Sequence, residues 1–204
     1  DPYLSDSIYE LKGDYFRRMV PVEERFLGAP LDVLFLTHEH DDHTNLQTLY
    51  GILGKTHGIK VLAPRGAFNM LAPAYSYQHT VNLFDRGCEW TEKDVHFVSV
   101  RALHSDDKAV GGIFHADGKT VYITGDTLYS REIVRDVSDI LGTYGWGRID
   151  YMFVCINGWG NNMNCADAAR LTKAVNPRNV LPVHFGMFER FSEDPEKFVK
   201  AMSD

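Results

Sequence analysis

The stretch THEHDDH, residues 37–43, follows the apolar run LDVLFL and places three histidines and two aspartates within seven positions. In a chain with 9 histidines among 204 residues, the spacing H-x-H-x-D-H arises by chance on the order of once in a thousand such chains. Its geometry restricts the fold. Side chains two apart point the same way in extended backbone, so His38 and His40 converge from a strand end. Asp42 and His43 follow where the chain turns into a helix, and face a second position beside the first. Imidazole and carboxylate are suited to zinc, manganese or iron. Two ions need more ligands than one cluster supplies, so the fold must deliver further strand ends to the same place.

The rest of the chain offers such strand ends. LDVLFLT (31–37) reads as a buried strand, and NLQTLYGILG carries Leu46, Leu49 and Leu53 at helical spacing. IKVLAP is a second short strand, after which Pro64 opens a helix over RGAFNMLA. DVHFVSVRAL is a strand, and GGIFHA and KTVYITGD flank Asp117-Gly118 as a hairpin. A helix near 130–141, the strand IDYMFVCIN, a helix from the cap Asn164 to about Val175, the strand NVLPVH and a helix starting at Asp194-Pro195 complete the order. Alternation of this kind predicts an α/β class, with sheets covered by helices in one domain over residues 1–204.

His104, Asp126 and His184 each come first among His and Asp after a strand-like run, which makes them the missing ligand candidates. A carboxylate such as Asp126 can bridge two cations. His96 lies within a strand and His115 beside the hairpin turn, so both read as structural, while His57 and His79 read as surface or loop residues. The loop NGWGNNMN supplies Asn157, Trp159, Asn161 and Asn162 as candidate substrate contacts, and the helix start after it is a candidate phosphate site. Asp106 and Asp107 read as turn residues, with a lesser role in supporting a metal ligand.

Composition removes several function classes. The net charge is −7, with no Lys/Arg cluster longer than Arg17-Arg18, so a nucleic-acid partner is not expected. No apolar stretch approaches the roughly 18 residues of a membrane span. Cys88, Cys155 and Cys165 lack CxxC spacing, and reduced cysteines in a cytoplasmic protein are the expectation, with Cys155 in the core. The opening DPYLSDS reads as the end of a strand and a turn, so the N-terminal part of the domain is expected upstream of it.

The HxHxDH cluster, a later strand-end His, TGD and a final strand-end His resemble the metallo-β-lactamase superfamily from Asp1 to about Phe188. The resemblance implies an αββα sandwich, here without its N-terminal strands, and a binuclear hydrolase. By that resemblance His38, His40 and His104 hold a first metal, and Asp42, His43 and His184 a second. Asp126 bridges the two and, with Asp42, is catalytic. DPYLSDS, HSDDKAVGGIF, INGWGNNMN and VLPVHFGMF resemble the L-ascorbate-6-phosphate lactonase group. That implies two divalent ions, manganese or zinc, a small phosphorylated sugar-acid lactone as substrate, and a cytoplasmic homo-oligomer. A phosphodiesterase of the same superfamily is the alternative, and a non-enzymatic metal-binding or sensor protein the alternative from another class.

Overall fold

The computed structural model describes residues 1–203. An irregular entry leads to a short helix, α1 (Ser7–Lys12), and two 3-10 turns that end at Gly28. The first sheet is parallel, β1 (Val33–Phe35), β2 (Lys60–Ala63) and β3 (Thr80–Leu83) in that order, with α2 (Leu46–Leu53) and α3 (Arg65–Tyr75) as crossovers. Parallel neighbours require such long returns, because a tight turn only reverses the chain. The second sheet takes β4 (Glu89–Glu92), β5 (Val95–Arg101), β6 (Val110–Ala116), β7 (Lys119–Ile123), β8 (Tyr151–Cys155) and β9 (Asn179–Val183) in sequence order. Pairing is antiparallel from β4 to β7 and parallel from β7 to β9. The parallel half is connected through α4 (Arg131–Tyr144) and α5 (Cys165–Val175), and α6 (Pro195–Ser203) packs on α5.

Three apolar clusters layer these elements. Leu49, Ile52, Leu53, Ala67 and Leu71 of α2 and α3 bury against Leu34, Val61 and Ala63 of the first sheet. Tyr122, Met152 and Val154 of the second sheet bury against Ile133 and Val137 of α4 and Ala168 and Leu171 of α5. Between the sheets lie Leu62, Phe84 and Phe97, with Phe35 and Phe114 packed on them. The order is therefore helix, sheet, sheet, helix. Gly112 allows the close approach of the sheets, since a Cβ there would stand 2.9 Å from the Phe35 ring.

Direction matters more to the site than layering. Two antiparallel steps separate β5 from β7, so both run the same way, and β8 and β9 run parallel to β7. The segments following β5, β7, β8 and β9 consequently emerge at one edge of the sheet. Thr37, just beyond β1, accepts the backbone N–H of Val110 through its carbonyl at 2.9 Å, which brings the first sheet's strand end to the same edge.

Several expectations change. The strand read over 31–37 is only Val33–Phe35, although the Leu36 N–H still donates to the Leu62 carbonyl. Leu46 is 52% exposed, because the buried face of α2 is made by Thr48, Leu49, Ile52 and Leu53. His79 is not a surface residue; it is 5% exposed, with its ring between the Leu53 carbonyl and the Ile59 N–H. In DPYLSDS, residues 1–6 are irregular backbone and Ser7 opens α1. TVNL and EWTE form β3 and β4 without an apolar run to announce them. Among the described residues no helix is long and apolar enough to cross a membrane.

Candidate metal centre

The cluster after β1 is held open for ligation by its own backbone. The N–H groups of His43 and Thr44 both donate to the His40 carbonyl, making a tight turn. The Thr44 hydroxyl donates to the His38 carbonyl at 2.6 Å. Asn45 caps α2 by accepting from the Thr48 N–H, and its amide donates to the Asp41 carbonyl. Capping thus serves the cluster as well as the helix.

The other ligand candidates reach it on loops tied to one another. Asp106 accepts the Glu39 N–H and the Lys108 N–H, joining the His104 loop to the cluster. Thr127, next to Asp126, accepts the Leu103 N–H on its hydroxyl and the Met163 N–H on its carbonyl. Gly125, in TGD, has φ +60°, and a Cβ there would meet the Val110 carbonyl at 2.9 Å. His184 takes φ +62°, a left-handed conformation that costs a non-glycine residue on the order of 1–3 kcal/mol. Such strain is tolerated where the surrounding structure demands a particular side-chain direction.

Two groups result. The ligand-type atoms of His38, His40 and His104 lie within 4.8 Å of one another, as do those of Asp42, His43 and His184. Asp126 stands between them: its Oδ2 is 3.9 Å from His104 Nε2, 3.5 Å from His43 Nε2 and 3.3 Å from His184 Nε2. All seven residues expected as ligands are brought together.

Hydrogen-bond partners fix which ring nitrogens are free. The Thr37 hydroxyl donates its only proton to Asp1 at 2.6 Å, so at 2.9 Å it accepts from His38 Nδ1. His43 Nδ1 donates to the Asp1 carboxylate at 3.1 Å, and His104 Nδ1 to the Asn161 carbonyl at 3.4 Å. In the neutral rings each Nε2 is then a lone pair directed inward. His40 Nδ1 lies 3.0 Å from His38 Nε2 and 3.1 Å from His104 Nε2, and its single hydrogen can serve only one of them. His43 Nε2 and His184 Nε2 are likewise 3.1 Å apart. Buried Asp126 Oδ1 has no hydrogen-bond partner at all. Converging lone pairs and an orphaned carboxylate oxygen are what a cation satisfies, so the donor set fits divalent metal.

Titration behaviour divides the histidines. Burial, then the neighbouring His43, push His38 down to about 2. Burial also lowers His104, against the attraction of Asp126. In His43 and His184 burial works in the same direction, but Asp126 and Asp42 outweigh it and the pKa rises. Burial opposes ionisation of Asp42 and Asp126, yet His184 and His43 hold both well below the ordinary carboxylate range.

Two cavities adjoin the centre and share Asp42, Asp126, His184, Phe188 and Phe191 as lining. One of about 260 Å³ reaches between the ends of β7, β8 and β9; the other, of about 220 Å³, lies under Trp159. Of the expected substrate contacts, Asn157 and Trp159 line the second cavity. Trp159 is 48% exposed and meets Phe191 edge-on. Asn162 also borders it, but its amide is committed to Asp126 Oδ2 at 2.7 Å. Asn161 is outside both linings and acts through its backbone carbonyl on His104. The helix start after the loop is not an open anion site, since Asn164 caps it by accepting the Asp167 N–H and Asp167 adds a negative charge there. Sequence reasoning missed Asp1 and Thr37, although Asp1 is also a carboxylate and Thr37 sits inside THEHDDH.

The family model described as a beta-lactamase superfamily domain matches residues 1–185. The chain belongs to that superfamily. A UPF0173 metal-dependent hydrolase of Pyrococcus abyssi is 31% identical over 182 residues, covering 85% of this chain and 75% of the relative. An Escherichia coli protein named "Probable L-ascorbate-6-phosphate lactonase" is 23% identical over 202 residues, covering 86% of this chain but 55% of its own length. A metallo-beta-lactamase fold protein of Bacillus subtilis superposes with a TM-score of 0.67 at 16% identity, over 88% of this chain and 74% of that one. The helix–sheet–sheet–helix order is thus that of the superfamily.

Proposed function

We propose that this protein is a metal-dependent hydrolase that opens a carboxylic ester or lactone. The observation that carries the reading is the approach of His40 Nδ1 to His38 Nε2 at 3.0 Å and to His104 Nε2 at 3.1 Å, near the buried Asp126 carboxylate, one oxygen of which lacks any partner. His38, His40 and His104 would hold one divalent ion and Asp42, His43 and His184 a second, with Asp126 between them; manganese and zinc both suit these donors. Metal bound there supplies an ionised water at neutral pH and Lewis-acid polarisation of the substrate carbonyl. The Asn162 amide holds Asp126 Oδ2 at 2.7 Å and so orients the carboxylate between the two ligand groups, while the proton lost by the attacking water would pass to the leaving alkoxide. Asp1 keeps His43 in the tautomer that directs Nε2 inward.

The lactone class is favoured by the similarity to the E. coli lactonase and by the chain's acidity, which disfavours a long polyanion such as a nucleic acid. Neither cavity lining contains Lys or Arg, so the phosphate of a sugar-phosphate lactone would find no basic side chain there. The test pairs elemental analysis with a lactone and phosphodiester panel, on the parent protein and on His40→Ala, His184→Ala and the control His57→Ala. Metal content and lactone hydrolysis should fall together in the first two and persist in the control. Unchanged metal stoichiometry in both variants would remove the centre from consideration. Full metal with no turnover on any substrate would favour a metal-binding protein, and rapid phosphodiester cleavage alone the phosphodiesterase.

A further inference from the structure

Apart from the residues of the centre, Asp1 and the unpartnered hydroxyl of Tyr3, the lining of the 260 Å³ cavity is largely apolar: Ile123, Val183, Phe185, Met187 and Phe188 carry most of it. The cavity is continuous with the centre through Asp42, Asp126 and His184. The second cavity shares Asp42, Asp126, His184, Phe188 and Phe191 with the first and has Phe16 and Trp159 as further aromatic lining, but it alone carries neutral polar side chains apart from tyrosine. Ser105, Asn157 and Asn162 contribute polar groups to it, and the buried Asn157 Oδ1, in a residue only 4% exposed, has no hydrogen-bond partner.

Nearby cations are turned to other tasks. The Arg18 guanidinium lies 4.9 Å from the Tyr3 ring and donates to the Tyr3 carbonyl, and Arg190 lies 4.2 Å from the Tyr15 ring. A charged acyl group entering the first cavity would lose its hydration without a counter-charge, which is costly. A hydrocarbon group gains about 0.8 kcal/mol for each methylene taken out of water, or about fourfold in affinity.

From this asymmetry we infer that the substrate is a neutral ester or lactone bearing an apolar acyl substituent, seated in the cavity of Ile123, Val183 and Met187. Its alkoxy side lies toward Asn157 and Ser105. The inference rests on the hydrolase reading above and specifies the substrate class of that site. Water adds to the acyl carbon, the acyl C–O bond breaks, and the alkoxide leaves with the proton; the apolar acid remains on the Ile123 side.

The experiment uses 4-nitrophenyl acetate, butyrate and hexanoate with the metal-loaded protein, because a constant leaving group makes kcat/KM report the acyl group. A binding arm follows the thermal melting of metal-free protein with octanamide or acetamide, independently of turnover. The expected result is a rise of up to about fourfold per methylene, and a melting shift with octanamide alone. Ile123→Phe and Val183→Phe fill the cavity and should collapse both the hexanoate-to-acetate ratio and the octanamide shift, with the unliganded melt showing that each variant folds. Hydrolysis of all three esters at equal efficiency, with no octanamide shift, would overturn the inference and leave the hydrolase reading in place. An octanamide shift abolished by Ile123→Phe, with no ester cleaved, would uphold the apolar cavity and overturn hydrolysis.

Discussion

Asn162→Ala separates a residue that holds a ligand from one that touches substrate. The Asn162 amide donates to Asp126 Oδ2 at 2.7 Å, and both residues are buried, at 6% and 5% exposure. A hydrogen bond to an ionised carboxylate contributes about 1.5–3 kcal/mol. Its loss would leave both Asp126 oxygens without a neutral donor, since Oδ1 already has none. If that energy is expressed in ligand positioning, metal affinity falls roughly ten- to hundredfold, the range that outer partners of metal ligands show when removed. Competition against a chromogenic chelator, with zinc or manganese, reads this directly, and urea unfolding of the metal-free variant reports whether the fold survives. Asn157→Ala is the comparison: its Oδ1 is unpartnered, so metal affinity should stay within about twofold while ester KM rises. Asn162→Asp retains the size but exchanges the donor for a second negative charge, and should not restore parent affinity. Equal metal affinity in the Asn162→Ala and parent proteins would refute the reasoning and return Asn162 to the substrate.

Two further outcomes follow from titration. His43 and His184 have raised pKa values in the metal-free protein, chiefly through Asp126 acting against burial, so metal must displace protons from them. Metal uptake in weak buffer should therefore release protons, and apparent affinity should climb as pH rises through those values and fall below them; pH-independent uptake without release would contradict the ion-pair arrangement. Burial pushes the Cys155 thiol up to about 12, so it should resist alkylation at pH 8 in the folded protein and react in urea, as mass spectrometry of digests would show.

How much of this was legible in the sequence depends on whether the signal is local. THEHDDH announces itself because spacing alone makes His38 and His40 converge, and the strand-end rule finds His104, Asp126 and His184 since β5, β7 and β9 share a direction. The hairpin at Asp117-Gly118 and the caps Asn164 and Pro64 are local too, and the structure has them. β3 and β4 were hidden because TVNL and EWTE are half-exposed edge segments, whose pairing is decided by the neighbouring strand and not by periodicity. His79 looked like a surface histidine since nothing local records that α2 and β2 would enclose it.

The same distinction applies to the NGWGNNMN loop, where Asn157, Trp159 and Asn162 line a cavity. Residue type marks asparagines as donors and acceptors, but it cannot show which are already spent. The Asn162 amide N–H is committed to Asp126 while its Oδ1 stays unpartnered, Asn164 is taken by the first turn of α5, and Asn161 serves through its carbonyl, which any residue could offer. Asn161 nonetheless has a reason to be where it is: its φ is +66°, and asparagine tolerates that left-handed turn better than most residues. The turn presents the carbonyl that sets the His104 tautomer. Asp1 and Thr37 do the equivalent for His43 and His38, across 42 positions in one case and one position in the other. The ligands of this centre are thus a sequence pattern, whereas the groups that aim their lone pairs exist only once the chain has folded.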